Sequence, residues 1–333
     1  MPGASDTVSG VRGRSGILTA SWLVLLTAVQ VLAFVVVWRF AVGTEHGQLL
    51  DTIALTGNSI GQQRIEGIVG GVLNAVSLLS LLVATAVIGF IALIRVRITL
   101  AVVTVLLIAG SNFTTQILKH FIERPDFDVD EAREAAGNSL PSGHTTVAAS
   151  VAIALVMVLP PRVRGWGALV GAGYAAAAGV ATLSAGWHRP SDAVTALLVV
   201  GAWASAASLV LLLTQRETAQ VEAADGNRRV TSVLAIVGLA LLLVAAIALG
   251  WTDGVRSTPI PEFDRHQLLV AYGGSAAGIA GTAALMTALV LVALHRVVPG
   301  TPAGALSRPR TSRMVPSLVG RGAVPAEDEP DGR

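Results

Sequence analysis

The chain has 333 residues, of which 53% are hydrophobic and 13% are charged, and its formal net charge is +2. A soluble domain is normally about a quarter charged, so this composition predicts a protein whose solvent is lipid. The lack of cysteine excludes a disulfide framework, a thiolate nucleophile and a Cys-ligated metal. No Lys/Arg run is interleaved with aromatic residues, so we expect no nucleic-acid partner.

Apolar runs of about 20 residues are long enough to cross a bilayer as helices. The sequence contains such runs at 17–42, 67–94, 98–118, 146–160, 166–185, 192–214, 230–251 and 269–294. They predict an all-α fold, a polytopic transmembrane helical bundle of about eight helices. We expect a six-helix core at 15–215, a loop at 216–229 and an additional two-helix membrane segment at 230–295. The small residues of "AYGGSAAGIAGTAA", 271–284, allow close contact with another helix.

The two ends of the chain, 1–14 and 296–333, are rich in Pro, Gly and charge, and we expect them to be disordered. Basic residues concentrate at both ends and in alternate loops, which predicts that these segments are cytoplasmic. The outward loops would then be 43–66, 119–145, 186–191 and 252–268. The alanine-rich, lysine-poor composition suggests a high-GC bacterium, so the membrane would be a plasma membrane.

The stretch "NSLPSGHTTV", 138–147, places polar residues at the start of the fourth apolar run. The first backbone N–H groups of a helix have no intrahelical partner, and together with the helix dipole they attract an anion. Gly143 lets an anion approach the backbone after Ser142, and His144 adds a titratable ring. A phosphate ester suits this arrangement. The alternative is an ordinary N-cap at Ser142 and an interfacial His144.

The stretch "LKHFIERPDFD", 118–128, carries two cations, Lys119 and Arg124, just outside the third run. Both could contact the oxygens of one phosphate, although interfacial Lys and Arg are also common without such a role. An acidic stretch follows at Asp126, Asp128, Asp130 and Glu131. It lacks the Gly and the closing Glu of a calcium-binding loop, so we interpret it as solvated and expect no metal site.

The stretch "AGWHRPSDAV", 185–194, contains Pro190, which suits the first turn of a helix. Asp192 would lie in that turn with His188 four residues before it. At this spacing the carboxylate can accept a hydrogen bond from one imidazole nitrogen and leave the other one nucleophilic. The alternative is a capping Asp beside a surface His.

Taken together, "K…RP", "PSGH" and "H-x-x-x-D" resemble the signature motifs of the type 2 phosphatidic acid phosphatase / vanadium haloperoxidase superfamily, over roughly residues 60–215. The resemblance implies a helical bundle and a phosphatase that needs no metal or other cofactor. It implies that His188 attacks phosphorus to give a phosphohistidine while Asp192 orients it. It further implies that His144 protonates the leaving alkoxide and then activates water. The residues that would hold the phosphoryl oxygens are Lys119, Arg124, Ser142 and Gly143.

The sequence departs from the family pattern in two places. Lys119 and Arg124 are two residues closer together than is usual for the first motif. The third motif usually opens with Ser-Arg, and these positions are Ala181 and Thr182 here. One cation is therefore missing, and its loss typically costs roughly 3–4 kcal/mol of transition-state stabilisation. Arg189 is the nearest replacement; the other candidates are Arg64, Arg256 and Arg265.

The favoured interpretation is an integral-membrane enzyme that hydrolyses a phosphatidic acid-like lipid phosphate or a polyprenyl diphosphate at the extracytoplasmic face. The substrate would keep its tails in the bilayer. The alternative is a catalytically weak or inactive membrane protein that binds lipid head groups and retains the phosphatase fold. A haloperoxidase is a weaker interpretation, because that chemistry belongs to largely soluble members. The sequence favours no oligomeric state.

Overall fold

The computed structural model describes residues 4–60, 67, 69–73, 82, 84–90, 98–129, 138–214, 225–255 and 263–297. Its helices are α1 (Ala4–Ala41), α2 (Glu45–Thr56), α3 (Ile98–Phe121), α4 (Gly143–Val158), α5 (Pro161–Ser184), α6 (Pro190–Thr214), α7 (Asp225–Val255) and α8 (Arg265–Val297). A short 3₁₀ turn, Gly57–Ile60, follows α2. These ranges contain no β-strand, which confirms the all-α class.

Six of these helices are long and apolar enough to cross a membrane, which indicates a membrane-embedded protein. The candidate spans are Gly16–Ala41, Ile98–Phe121, Pro161–Ser184, Pro190–Thr214, Asn227–Val255 and Arg265–Val297. The predicted total of about eight is not confirmed. Half of the second predicted run, 67–94, lies outside the described residues. α4 has only 16 residues. α4 ends at Val158 because Pro160 and Pro161 follow, and a proline disfavours helical backbone in the residue before it.

Two predicted boundaries are wrong where the structure describes them. α1 begins at Ala4, so residues 4–14 are helical rather than disordered, since no proline after Pro2 interrupts the helix. α7 begins at Asp225, inside the predicted loop 216–229, because an acidic first turn suits the positive end of the helix dipole. The predicted disordered tail beyond Val297 lies outside the described residues.

The described parts of the loops predicted to face outward lie together at one end of the bundle. Gln48 in α2 donates to the carbonyl of Pro125 after α3, at 2.8 Å. His46 and Asp253, at the start of α2 and the end of α7, approach to 3.1 Å. These contacts follow from antiparallel packing, which returns every second connection to the same level. We call this the site end of the bundle.

The opposite end is held by contacts of the same kind. Asn227 at the start of α7 donates to the carbonyl of Pro161 at 3.0 Å. The Arg296 guanidinium at the end of α8 lies 4.5 Å from the centroid of the Trp22 ring in α1. The loops of the site end and the helix ends of the opposite end are therefore separated by the length of the spanning helices.

α7 and α8 pack backbone against backbone. A Cβ atom added to Gly281 would lie 2.9 Å from the carbonyl oxygen of Gly238, so neither helix tolerates a larger side chain there without moving. This confirms that the small residues of 271–284 make a close helix contact and identifies α7 as the partner. The apolar residues Ile236, Leu243 and Ile247 on α7 remain exposed, as suits a lipid-facing surface.

Candidate active site

The site is built on the first turn of α6, which begins at Pro190 as predicted. Asp192 lies in that turn and is fully buried. Its Oδ2 atom is 3.2 Å from Nδ1 of His188, one helical turn away, so the predicted pair forms. A carboxylate only accepts hydrogen bonds, and Nδ1 must therefore carry the proton of this contact. The lone pair of a neutral His188 is then on Nε2.

Two further hydrogen bonds and an ion pair hold the Asp192 carboxylate. The backbone N–H of Arg189 donates to Oδ2 at 3.0 Å, and the Ser139 hydroxyl donates to the same oxygen at 2.6 Å. Nη2 of Arg124 lies 3.9 Å from Oδ1. Each of these contacts stabilises the ionised carboxylate in a buried position. Ser139 was missed at the sequence level, because a serine two residues before a proline-containing motif has no chemical signature of its own.

The start of α4 packs directly on the start of α6. α4 starts where the sequence predicted, and Ser142 is its N-cap, which was the alternative interpretation of this residue. The Oγ atom of Ser142 accepts from the N–H of Thr145 at 3.4 Å. The backbone N–H of Ser142 donates to the carbonyl of Asp192 at 2.8 Å. A Cβ atom added to Gly143 would meet no atom closer than Nε2 of Gln116, at 3.8 Å. The approach to this helix start is therefore open beside Gly143, as anion binding requires.

His144 and Lys119 lie at the same level of the bundle. The His144 and His188 rings are 6.4 Å apart between centroids, and Trp187 lies 5.3 Å from His144. Thr115 and Thr146 share a hydrogen bond of 3.0 Å between α3 and α4. Lys119 lies one turn beyond Thr115, and Ser142 one turn before Thr146. Both steps lead towards the site end, so Lys119 reaches the level of Ser142.

Thr182, which stands where the third motif usually has an arginine, has a structural role. The Thr182 hydroxyl donates to the carbonyl of Gly179 at 2.7 Å, and its own carbonyl accepts from the N–H of His188 at 3.2 Å. Thr182 therefore fixes the backbone of the nucleophile candidate. Arg189, the predicted replacement cation, is buried beside the site. Among the other candidates, Arg265 is exposed at the start of α8, and Arg64 and Arg256 lie outside the described residues.

A second buried carboxylate, Asp51 in α2, was missed by the sequence analysis. Oδ1 accepts from the backbone N–H of Ser191 at 3.2 Å, and Oδ2 accepts a short hydrogen bond from the Ser191 hydroxyl. Burial raises the pKa of Asp51 to about 6, and the charge of Asp192 adds to the rise. Arg124 and Arg189 act on it in the opposite direction. An ionisable residue inside the apolar stretch "LLDTIAL", 49–55, is the signal that could have found it.

The site is therefore a compact polar cluster on four helices, α2, α3, α4 and α6, and their connections. Its members are Asp51, Lys119, Arg124, Ser142, Gly143, His144, His188, Arg189 and Asp192. Across the described residues there is no group of three or more His, Asp or Glu side chains placed to hold a metal ion. The arrangement offers cations and helix-start N–H groups to an anion, and two imidazoles for proton and covalent chemistry.

Replacing Asp51 by Asn should change how stability depends on pH. The folded pKa of about 6 exceeds the ordinary value of 3.8, so between these values the folded protein holds a proton that the unfolded chain releases. The parent should therefore lose stability relative to Asp51→Asn as the pH rises from about 4 to 6, by up to about 3 kcal/mol. Thermal unfolding in detergent measures this. The control is Glu45→Gln, an exposed carboxylate on the same helix. A pH-independent difference between parent and Asp51→Asn would contradict the assignment.

The sequence model of the PAP2 superfamily matches residues 98–216. No curated protein matches the chain. No solved structure matches it either. The matched segment runs from the start of α3 to just beyond α6, so it contains every member of the cluster except Asp51. Members of this superfamily are generally phosphatases or related hydrolases. Residues 98–216, which carry the candidate site apart from Asp51, are therefore similar to the PAP2 superfamily.

Proposed function

We propose that this protein is an integral-membrane phosphatase that hydrolyses a lipid phosphate or diphosphate through a phosphohistidine on His188. Similarity to the superfamily supports action on phosphate esters. The observation that carries the mechanism is the 3.2 Å contact between His188 and the buried Asp192, with His144 beside them. A protein that only binds a phosphate ester does not require a histidine held in one tautomer, as His188 is by Asp192.

In the first step Nε2 of His188 attacks phosphorus. A P–N bond forms, the ester P–O bond breaks, and protonated His144 donates its proton to the leaving oxygen. In the second step neutral His144 takes a proton from water, and the resulting hydroxide oxygen bonds to phosphorus. The P–N bond then breaks, which releases phosphate and restores His188. Asp192 keeps the proton on Nδ1 throughout and stabilises the positive charge of the substituted imidazole.

The charge of the transferring phosphoryl group must be balanced by fixed positive groups. Lys119 and Arg124 supply two full charges, and the open helix start at Ser142 and Gly143 supplies partial ones. Arg189 is the proposed third cation, in place of the arginine that Thr182 replaces. The shared electrostatic interaction of Arg124 and Arg189 with Asp51 supports their membership of one cluster.

A lipid is the substrate class that suits the surroundings of the site. The site lies at one end of a bundle of apolar spans, where Phe121 and Trp187 are exposed at the same level. An amphipathic Trp at this depth is typical of the membrane interface. A phosphatidic acid-like lipid or a polyprenyl diphosphate could keep its hydrocarbon in the bilayer while its head group enters the cluster.

A non-catalytic head-group binder is the second candidate, and the observation that favours it is Thr182 in the position of a family cation. The deciding experiment is phosphate release by the purified protein from a panel of lipid phosphates and diphosphates, without added metal. Release that His188→Ala abolishes supports the phosphatase. No release from any lipid, with tight retention of the same lipids, supports the binder.

The two histidines should differ in their response to the leaving group. His188→Ala should abolish turnover of every substrate, because the nucleophile is lost. His144→Ala should slow alkyl phosphates by about a hundredfold or more, because an alkoxide must be protonated to leave. On p-nitrophenyl phosphate the loss should be much smaller, since that leaving group needs little protonation. Steady-state rates on both substrates measure this, and equal losses would remove His144 from the acid role.

Arg189→Ala should lower kcat/KM by about a hundredfold, as loss of a charge-stabilising donor does. Arg189→Lys should rescue only partly, because lysine lacks the planar fork. The rival explanation is that Arg189 merely neutralises Asp51. The double variant Asp51→Asn/Arg189→Ala separates the two. Its rate should stay as low as that of Arg189→Ala if Arg189 contacts phosphate, and should recover if neutralisation is its role.

We propose that the site end faces outward across the plasma membrane, with both termini in the cytoplasm. The arginine-rich segments of the opposite end support this orientation. Because the chain has no cysteine, the reactivity of a single introduced thiol shows on which side of the membrane that residue lies. Glu123→Cys, exposed at the site end, should react with an impermeant thiol reagent in intact cells, and Arg229→Cys should react only after permeabilisation. The reverse pattern would overturn the orientation.

A further inference from the structure

A second polar cavity lies at the opposite end of the bundle, about as far from the candidate active site as the fold allows. It has a volume of about 350 Å³ and lies between the start of α5, the start of α7 and the end of α8. The hydrogen bond from Asn227 to the carbonyl of Pro161 joins two of its walls. α7 and α8 lie outside the residues matched by the PAP2 superfamily, so this cavity is a feature of the whole chain rather than of the matched segment.

The lining of this cavity is basic. It includes Arg164, Arg228, His295 and Arg296, and the described lining residues contain no Asp or Glu. Arg164 is only 5% exposed, and its Nη2 atom donates to the carbonyl of Leu159 at 3.0 Å. Arg296 is held against the Trp22 ring. Two of the three arginines are therefore fixed in position by the fold.

Uncharged polar side chains also line the cavity. Asn227 and Thr231 line it beside the arginines. The start of α5 contributes Pro161 and Arg164 to its lining, and the start of α7 contributes Asn227 and Arg228. The end of α8 carries the negative end of its helix dipole, which His295 and Arg296 in its last turn offset. Arginines that merely attract head groups would all lie on the outer surface, whereas these line one cavity and Arg164 among them is buried.

We infer that this cavity binds a phosphate group. Arginine forms paired, charge-assisted hydrogen bonds to phosphate oxygens, and the volume admits a phosphate monoester or diester together with part of its substituent. Two sources share this chemistry: an anionic lipid head group of the adjacent leaflet, or a small soluble phosphate compound. A bound phosphate would contact α5, α7 and α8 at once and connect them. This site is separate from the proposed active site.

The test compares two matched double variants of the full-length protein in detergent. Arg228→Ala/Arg296→Ala removes two charges from the cavity. Arg162→Ala/Arg229→Ala removes two charges from exposed positions at the same end that do not line it. One arm measures equilibrium binding of inorganic phosphate. The other counts phosphatidylglycerol molecules retained on the protein by native mass spectrometry.

The cavity variant should lose one bound phosphate or one retained phosphatidylglycerol, or bind it about tenfold more weakly or worse, while the control matches the parent. Loss in the phosphate arm assigns a soluble ligand, and loss in the lipid arm alone assigns a head group. Because Arg296 stacks on Trp22, Arg228→Glu serves as a second variant that leaves this contact intact. Binding that is equal in parent, control and both cavity variants, in both arms, would overturn the inference.

Discussion

The candidate active site depends on a single buried carboxylate, that of Asp192. An ionised carboxylate away from water is costly unless donors and positive charge surround it. Asp192 obtains these from three separate parts of the chain: His188 and the Arg189 backbone before α6, Ser139 before α4, and Arg124 after α3. Its own carbonyl also accepts from the start of α4. The contacts that offset the free-energy cost of burying this carboxylate therefore also bring the three sequence motifs together.

Asp51 extends this charge cluster beyond the matched segment. Its carboxylate holds both the N–H and the hydroxyl of Ser191, in the helical turn that carries Asp192. Two carboxylates so close together repel each other, and the charges of Arg124 and Arg189 offset the repulsion. The geometry of the nucleophile candidate is thus coupled to α2, an element that the PAP2 superfamily match does not include. A helix near the N-terminus therefore contributes a buried carboxylate to the candidate site.

The charged residues are arranged differently at the two ends of the bundle. At the site end, Arg124 and Arg189 lie among the buried carboxylates Asp51 and Asp192. The helix start beside Gly143 remains open. At the opposite end, the cavity between α5, α7 and α8 presents basic side chains with no acid among its described lining residues. α8 packs backbone against backbone on α7 at Gly281 and Gly238. α7 and α8, which lie outside the family match, therefore pack on each other, and together with α5 they line a basic cavity.

The sequence by itself determined the elements whose signals are local. Apolar length identified the six candidate membrane spans, although it predicted eight. Pro190 and Ser142 marked two helix starts, and the i, i+4 spacing paired His188 with Asp192. Only the tertiary structure decided what depends on contacts between distant segments. Ser139 and Asp51 approach the first turn of α6 from 53 and 140 residues away, and no sequence period records such a distance. The small residues of α8 predicted a close helix contact, but the identity of α7 as the partner depended on the packing of the whole bundle. The basic cavity likewise arises because α5 and α7 start at the level where α8 ends, so that residues far apart in sequence line one space.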